Sequence, residues 1–173
     1  MPTPVLPHAK LDWTISKLSE TVESEPDNLE ARLELCRCFL SRGWIHEGGE
    51  PDCATALAMA RRVLQDDPTS VTGLVVAGAA LVGMDRPEAA EKYLNQAVAV
   101  EPDRADLNLA LGALSAQLGE PGRAVRFYEV ACRDAAESWE THLLLGRALL
   151  ALYRLKDARR LVERASYHFV RAM

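Results

Sequence analysis

A spacing of 34 residues constrains the fold of this chain more than any other feature of its sequence. Three sets of small residues keep that step: Gly78, Gly112 and Gly146; Ala90, Ala124 and Ala158; and Ala97, Ala131 and Ala165. Leu111 and Leu145 keep it as well, as do Pro68 and Pro102. Because independent sets share one spacing, the chain is predicted to consist of structural repeats.

Each 34-residue unit is expected to contain two helices. Residues 71–84 and 87–99 carry apolar side chains at helical spacing, and residues 105–118 and 121–133 repeat the arrangement. Proline begins the second helix of each pair, where its missing N–H has no partner to lose. A glycine in the first helix lowers helix propensity. We therefore expect it to permit close approach of the second helix, facing the small alanine there.

These units resemble the tetratricopeptide repeat family. The resemblance rests on the period, on an apolar–glycine pair in helix A, on alanine, large apolar residue and alanine in helix B, and on a closing proline. The helix B sets are Ala90, Leu94, Ala97; Ala124, Tyr128, Ala131; and Ala158, Val162, Ala165. The chain departs from the pattern at Ala136, in place of the closing proline, and at Leu74, Leu81 and Asn108, in place of large aromatics. The resemblance implies an all-α fold, a right-handed α-solenoid of stacked helix–turn–helix repeats with about nine helices.

The predicted organisation is a single domain, 1–173, with four repeats. It comprises an N-terminal capping helix at 9–23 and repeats at 29–68, 71–102, 105–136 and 139–170. The first repeat is longer, because Pro26 and Pro68 are 42 rather than 34 residues apart. Cys36 and Ala56, which take the places of the helix A glycine and the first helix B alanine, show the same excess. We therefore predict helices at 29–42 and 54–65, joined by a long turn that holds an insertion at 43–53.

Three hypotheses account for this insertion. A tolerated surface loop costs little closure entropy. A recognition loop would use Trp44 and Ile45 as apolar contacts. A metal site would need convergence of Cys36, Cys38, His46 and Cys53. Since Cys36 and Cys38 are two apart on a helix and point to nearly opposite sides, we predict no metal site and no cofactor.

Composition excludes several function classes. No apolar run reaches the roughly 18 residues of a membrane span, and the first ten residues do not form a secretion signal. The four cysteines form no disulfide framework. A cytoplasmic protein is therefore predicted. No glycine loop is followed by a phosphate-binding lysine, and the four histidines are scattered, so no enzyme is predicted. Residues 1–120 carry 10 basic and 19 acidic side chains, a net of −9, and the remainder carries 10 basic and 6 acidic, a net of +4. The arginine-rich end is interpreted as a solvated face, or as contacting an acidic partner or repeat, and not as a nucleic-acid site.

The resemblance implies that the A helices line a concave groove. The corresponding residues are Leu33, Arg37, Leu40, Val75, Ala79, Val82, Leu109, Ala113, Ala116, Leu143, Arg147 and Leu150. Family members that grip acidic chaperone tails carry basic and amide side chains there, whereas the central positions here are aliphatic, so no such client is expected. The groove is predicted to be an apolar trough for an amphipathic helix or apolar peptide. Alternatively, some of these side chains pack against the neighbouring helix.

The predicted function is a protein–protein interaction module, an adaptor or scaffold. Two alternatives stay open. Small tetratricopeptide chaperones that shield a secreted client have similar length and architecture. The second alternative is self-association. The last helix ends without the polar face that normally caps a solenoid. This feature indicates that the chain is part of a longer protein, that a partner binds at that edge, or that the chain self-associates through residues 167–173.

Overall fold

The structure is a computed structural model that describes residues 7–45, 49–134, 139–156, 165 and 167–171. Eight helices are defined: α1 (Pro7–Ser24), α2 (Leu29–Ile45), α3 (Gly49–Asp66), α4 (Val71–Gly83), α5 (Pro87–Val100), α6 (Ala105–Gln117), α7 (Pro121–Asp134) and α8 (Trp139–Lys156). Residues 167–171 are also helical, and no strand occurs in these ranges. The predicted all-α fold with about nine helices is confirmed.

The chain divides after Arg86 into two compact units. The first unit contains α1 to α4, in which each helix packs against the next and α2 also packs against α4. Leu11, Ile15, Leu18 and Val22 lie on one face of α1, because their spacing follows the helical period. Ile15 forms a buried core with Leu35 and Cys38 of α2, and the other three residues pack against this core together with Met59 of α3.

Helix α4 is the most deeply buried element of this unit. Its side chains are almost all apolar, so no face of it favours water. Every residue from Gly73 to Val82 is buried. The helix begins at the N-cap Ser70, whose hydroxyl accepts a hydrogen bond from the Gly73 N–H at 3.4 Å.

The long turn expected at 43–53 is corrected by the structure. Helix α2 continues to Ile45 and α3 begins at Gly49, so the extra residues mainly lengthen the two helices. Residues 46–48 lie outside the described part. Arg42, near the end of α2, donates two hydrogen bonds to Asp52 in the first turn of α3, Nε–Oδ2 at 2.6 Å and Nη2–Oδ1 at 2.9 Å. A carboxylate is favoured at a helix N-terminus, so this ion pair holds the lengthened helices together.

The second unit contains α5 to α8. Helix α6 packs against α5, α7 and α8, and α7 packs against α8. Its core combines Ala124, Val125 and Tyr128 of α7, Leu145, Ala148 and Leu149 of α8, and Ala165. Helix α8 continues to Lys156. Of the residues after α8, only 165 and 167–171 are described, so Ala158 and Val162 of the helix B pattern lie outside the described residues.

Two of the periodic glycines face aromatic rings. A Cβ added at Gly112 would lie 2.4 Å from Cε1 of Tyr128, and one added at Gly146 would lie 3.1 Å from the Phe169 ring. The expected close approach is therefore present at both positions. The facing group at both positions, however, is an aromatic ring and not the predicted alanine.

The turns that follow α4 and α6 have the same backbone conformation, 34 residues apart. Asp85 has φ of +57° and Gly119 has φ of +74°. The N–H groups of these residues bond to Val82 and Ala116 carbonyls, and the next N–H in each turn bonds one residue further back. This pattern satisfies the carbonyls at a helix C-terminus. Glycine adopts it freely, whereas aspartate at the first site adopts it at a cost.

Candidate functional site

The predicted groove residues of the first unit lie partly around a surface depression. It has a volume of about 450 Å³ and lies between α2 and the start of α4. Its lining residues are Leu29, Glu30, Leu33, Glu34, Arg37 and Thr72. Leu33 and Arg37 were both predicted as groove residues. Leu40 is half-buried and lies two helical turns after Leu33, on the same side of α2.

The depression combines apolar and charged surface. Leu29 is 48% exposed and Leu33 is half-buried, so both can contact an apolar group from outside. Glu30, Glu34 and Arg37 are exposed. Arg37 Nη1 lies 3.0 Å from Glu34 Oε2, an ion pair in which both side chains are about half exposed. Two carboxylates against one guanidinium give this surface an excess of negative charge.

The central part of the predicted groove differs from expectation in this unit. Val75, Ala79 and Val82 are only 3%, 4% and 8% exposed. Since α4 is apolar on all sides, these side chains belong to the core, which is the alternative that the sequence left open. Only Thr72 of α4 lines the depression. The surface is therefore less apolar than a trough of valines and alanines would be.

In the second unit, the predicted groove residues lie on α6 and α8, which pack together. Leu109 and Ala113 are half-buried and Ala116 is exposed. On α8, Leu143 and Leu150 are half-buried and Arg147 is exposed. Leu109 and Leu150 also pack against the core of this unit. Part of this face of α6 and part of this face of α8 are therefore accessible, and the face of α8 carries the guanidinium of Arg147.

Trp44 is held against α4. Its indole N–H donates a hydrogen bond to the Ala79 carbonyl at 3.2 Å, and the side chain is half-buried. A Cβ added at Gly83 would lie 2.8 Å from the indole nitrogen, so the tryptophan fits closely over this glycine. The structure thus gives Trp44 a packing role between α2 and α4. The side chain of Ile45 lies outside the described residues.

The cysteines of the first unit are buried. Burial raises the pKa of the Cys36 thiol to about 12 and that of the Cys53 thiol to about 11, because a thiolate would lose its hydration there. The Cys38 pKa is also raised by burial. These thiols act as core side chains. His46, the fourth residue of the metal hypothesis considered for the insertion, lies outside the described residues.

A cluster that the sequence did not reveal lies in the second unit. It joins Cys132 of α7, His142 of α8 and His168 of the helical residues 167–171. His142 Nδ1 lies 3.8 Å from Cys132 Sγ and 2.7 Å from His168 Nδ1. The imidazole rings stack with centroids 5.0 Å apart. Cys132 and His142 are 10 positions apart in the sequence, and His142 and His168 are 26 positions apart. These spacings match no local ligand motif, because the three residues are brought together only by the packing of three helical segments.

The basic C-terminal region is described in part. Arg147, Arg154 and Arg171 are exposed. Arg171 donates a hydrogen bond to the Tyr167 hydroxyl at 3.1 Å. Arg159, Arg160 and Arg164 lie outside the described residues. Within the described part of the chain, no helix has both the length and the apolar character that a bilayer crossing requires.

Comparison with known proteins identifies the repeat. Residues 75–138 match the family model described as tetratricopeptide repeat. No curated protein has significant sequence similarity to this chain.

Solved structures support the same fold. TTC0263, a thermophilic tetratricopeptide repeat protein of Thermus thermophilus, aligns with a TM-score of 0.67 and 22% identity, over 94% of this chain and 81% of that one. MamA from Desulfovibrio magneticus RS-1, residues 41 to the end, gives 0.54 and 19%, over 96% and 85%. A further MamA structure gives 0.53 and 23%, over 94% and 86%. At these identities the likeness concerns the fold alone.

Proposed function

We propose that this chain is a cytoplasmic adaptor or scaffold that binds a segment of another protein and has no enzymatic activity. The proposal is supported by the match of residues 75–138 to the tetratricopeptide repeat and by the shared fold of a solved tetratricopeptide repeat protein. Stacked helical repeats present extended surfaces suited to holding a peptide or a helix. The observation that carries the proposal is the depression of about 450 Å³ between α2 and α4. It is lined by Leu33 and Arg37, two residues at inward-facing positions of the family.

The chemistry of the depression favours an amphipathic partner segment. An apolar side chain of the partner would cover Leu29 and Leu33, which removes apolar surface from water at about 25 cal/mol per Å². A lysine or arginine next to that anchor would pair with Glu30 or Glu34. Charged groups at the edge of such a contact add orientation and association rate more than affinity.

The accessible faces of α6 and α8 are proposed as contact surface of the same kind. Their half-buried leucines supply apolar area and Arg147 supplies positive charge. A partner residue facing Arg147 would be acidic. Binding at either unit would depend on a few buried apolar contacts.

A pull-down from native cytosol with matched variants tests the proposal. Leu33→Asp and Arg37→Glu alter the depression, whereas Ala58→Asp and Arg61→Glu introduce the same charges at exposed positions of α3. We expect the first pair to lose a partner that the wild type and the second pair retain, with unchanged helical circular dichroism in all four. Equal capture by all baits would place the contact elsewhere and refute the depression as the binding site.

Self-association is a second candidate, favoured by exposed apolar side chains at the C-terminal helical residues. Tyr167 is 55% exposed and Val170 is 66% exposed. Light scattering over a range of concentrations, with Val170→Lys as comparison, tests this alternative; a wild type that stays monomeric would remove it. The chaperone alternative stays a prediction, and the nature of a captured partner would distinguish it from an adaptor.

A further inference from the structure

We propose that Cys132, His142 and His168 form a binding site for a zinc ion. One ligand atom from each residue lies within 4.8 Å of the others. A thiolate and two imidazoles are ligands that zinc prefers, and they disfavour Mg²⁺ and Ca²⁺, which take oxygen ligands. This site is separate from the metal hypothesis for the insertion, since none of its residues lies there.

The distances are close to those that zinc would impose. Tetrahedral zinc, with Zn–N bonds of about 2.05 Å and a Zn–S bond of about 2.3 Å, separates two nitrogens by about 3.3 Å and a nitrogen from sulfur by about 3.6 Å. Cys132 Sγ and His142 Nδ1 are 3.8 Å apart, near that value. The two Nδ1 atoms are 2.7 Å apart and must separate by roughly 0.6 Å. His168 is only half-buried, so its ring can make this shift more easily than the buried His142.

Metal binding would replace the contact between the two imidazoles. A hydrogen bond between two Nδ1 atoms requires one to carry the proton and the other to accept it. Ligation through both Nδ1 atoms requires a lone pair on each, so the donating ring must move its proton to Nε2. Zinc also displaces the thiol proton of Cys132, which leaves for solvent. The three residues then leave a fourth coordination position for water or an outside ligand.

The location of the cluster gives the ion a structural consequence. Cys132 lies in the last turn of α7, His142 in the first turn of α8, and His168 in the helical residues 167–171. A bound ion would tie the 167–171 segment to the α7–α8 hairpin. Since zinc would bind the assembled site and not the separated segments, it would stabilise the second unit.

Cobalt titration tests the site directly. The metal-free chain is titrated with Co²⁺, and the thiolate-to-cobalt charge-transfer band and the tetrahedral d–d bands are recorded before displacement by Zn²⁺. We expect one equivalent to bind, and Zn²⁺ but not Mg²⁺ to raise the Tm. Cys132→Ser should abolish the charge-transfer band. His168→Gln should weaken zinc affinity by at least about 100-fold, more than the change that supporting residues usually cause.

Cys38→Ala is the matched control, since it removes a buried thiol from the first unit. It should leave the spectrum and stoichiometry unchanged. Absence of stoichiometric binding to the folded wild type would overturn the proposal, and the cluster would then be only a hydrogen-bonded histidine pair. A spectrum kept by Cys132→Ser but lost by Cys38→Ala would overturn it as well, because the ion would then bind in the first unit.

Discussion

Replacement of Gly112 by alanine tests whether the periodic glycine exists to admit a ring. An alanine Cβ at this position would lie 2.4, 2.5 and 2.9 Å from Cε1, Cδ1 and Cζ of Tyr128. Carbon atoms in favourable contact are about 3.5–4.0 Å apart, so the ring or one of the helices must move by about 1 Å. Tyr128 is 2% exposed and surrounded by the core of its unit, which leaves it little room.

The net cost follows from two opposing effects. Overpacking a core by one methyl group typically destabilises by about 1–3 kcal/mol, and three contacts below 3 Å place this site at the upper end. Alanine within a helix is more favourable than glycine by about 1 kcal/mol. We therefore expect Gly112→Ala to lower the free energy of unfolding by about 2 kcal/mol. For a chain of this size the Tm should fall by roughly 4–8 °C.

Urea denaturation followed by circular dichroism measures the effect, with two comparisons. Gly122→Ala lies in the same unit, where the added Cβ meets only Leu152 Cδ1 at 3.8 Å, and should be neutral or stabilising by up to about 1 kcal/mol. In a Tyr128→Leu background the facing ring is absent, so Gly112→Ala should cost much less than in the wild type. A stabilising Gly112→Ala, or an equal cost in both backgrounds, would refute the steric explanation.

Three further outcomes are expected. Asp85→Gly should raise stability by about 1 kcal/mol, because aspartate holds a positive φ there, and the reciprocal Gly119→Asp should lower it; thermal denaturation of both variants compares them. Arg42→Met should cost about 3 kcal/mol in urea unfolding, since it leaves the Asp52 carboxylate, 10% exposed, without the guanidinium that pairs with it. Burial raises the pKa of Cys36 from 9.0 to about 12, so as the pH rises the thiol ionises in the unfolded chain before it ionises in the folded chain. The free energy of unfolding should therefore fall as pH rises from 9.0 towards 12. A Cys36→Ala variant whose urea midpoint declines just as steeply over this range would contradict the explanation.

Periodicity predicted the helices of the regular repeats well because every unit solves the same packing problem. Among the described residues of helix B, Ala124, Tyr128 and Ala131 are buried, as their spacing indicated. The contact of Gly112 with Tyr128 could also have been anticipated, since Tyr128 is the large residue of its helix B set, whereas Phe169, which faces Gly146, does not lie at the 34-residue step. The predicted contact between glycine and alanine assumed that small residues face each other. In a close-packed core, however, the volume left beside a glycine is filled by a large neighbouring side chain.

The sequence pattern was not enough to predict the structure of the insertion or the exposure of the groove residues. Glycines within 43–53 favoured a turn, yet Arg42–Asp52 pairing and Trp44 packing continue the helices through most of it. Val75 was assigned to the groove by its position in the repeat, but accessibility depends on what surrounds an entirely apolar helix. Tertiary contacts determined both outcomes.

The zinc proposal and the binding proposal concern different faces of α8. His142, Leu145 and Leu149 are buried and lie on one side of this helix, while Leu143, Arg147 and Leu150 are centred roughly 130° further around it. An ion at His142 would therefore fix α8 against α7 and the 167–171 segment without covering the proposed contact face. Zinc should then change the stability of the second unit while leaving partner affinity at α8 nearly unchanged. Competition between zinc and a partner would instead show that the partner contacts the Cys132, His142 and His168 cluster itself.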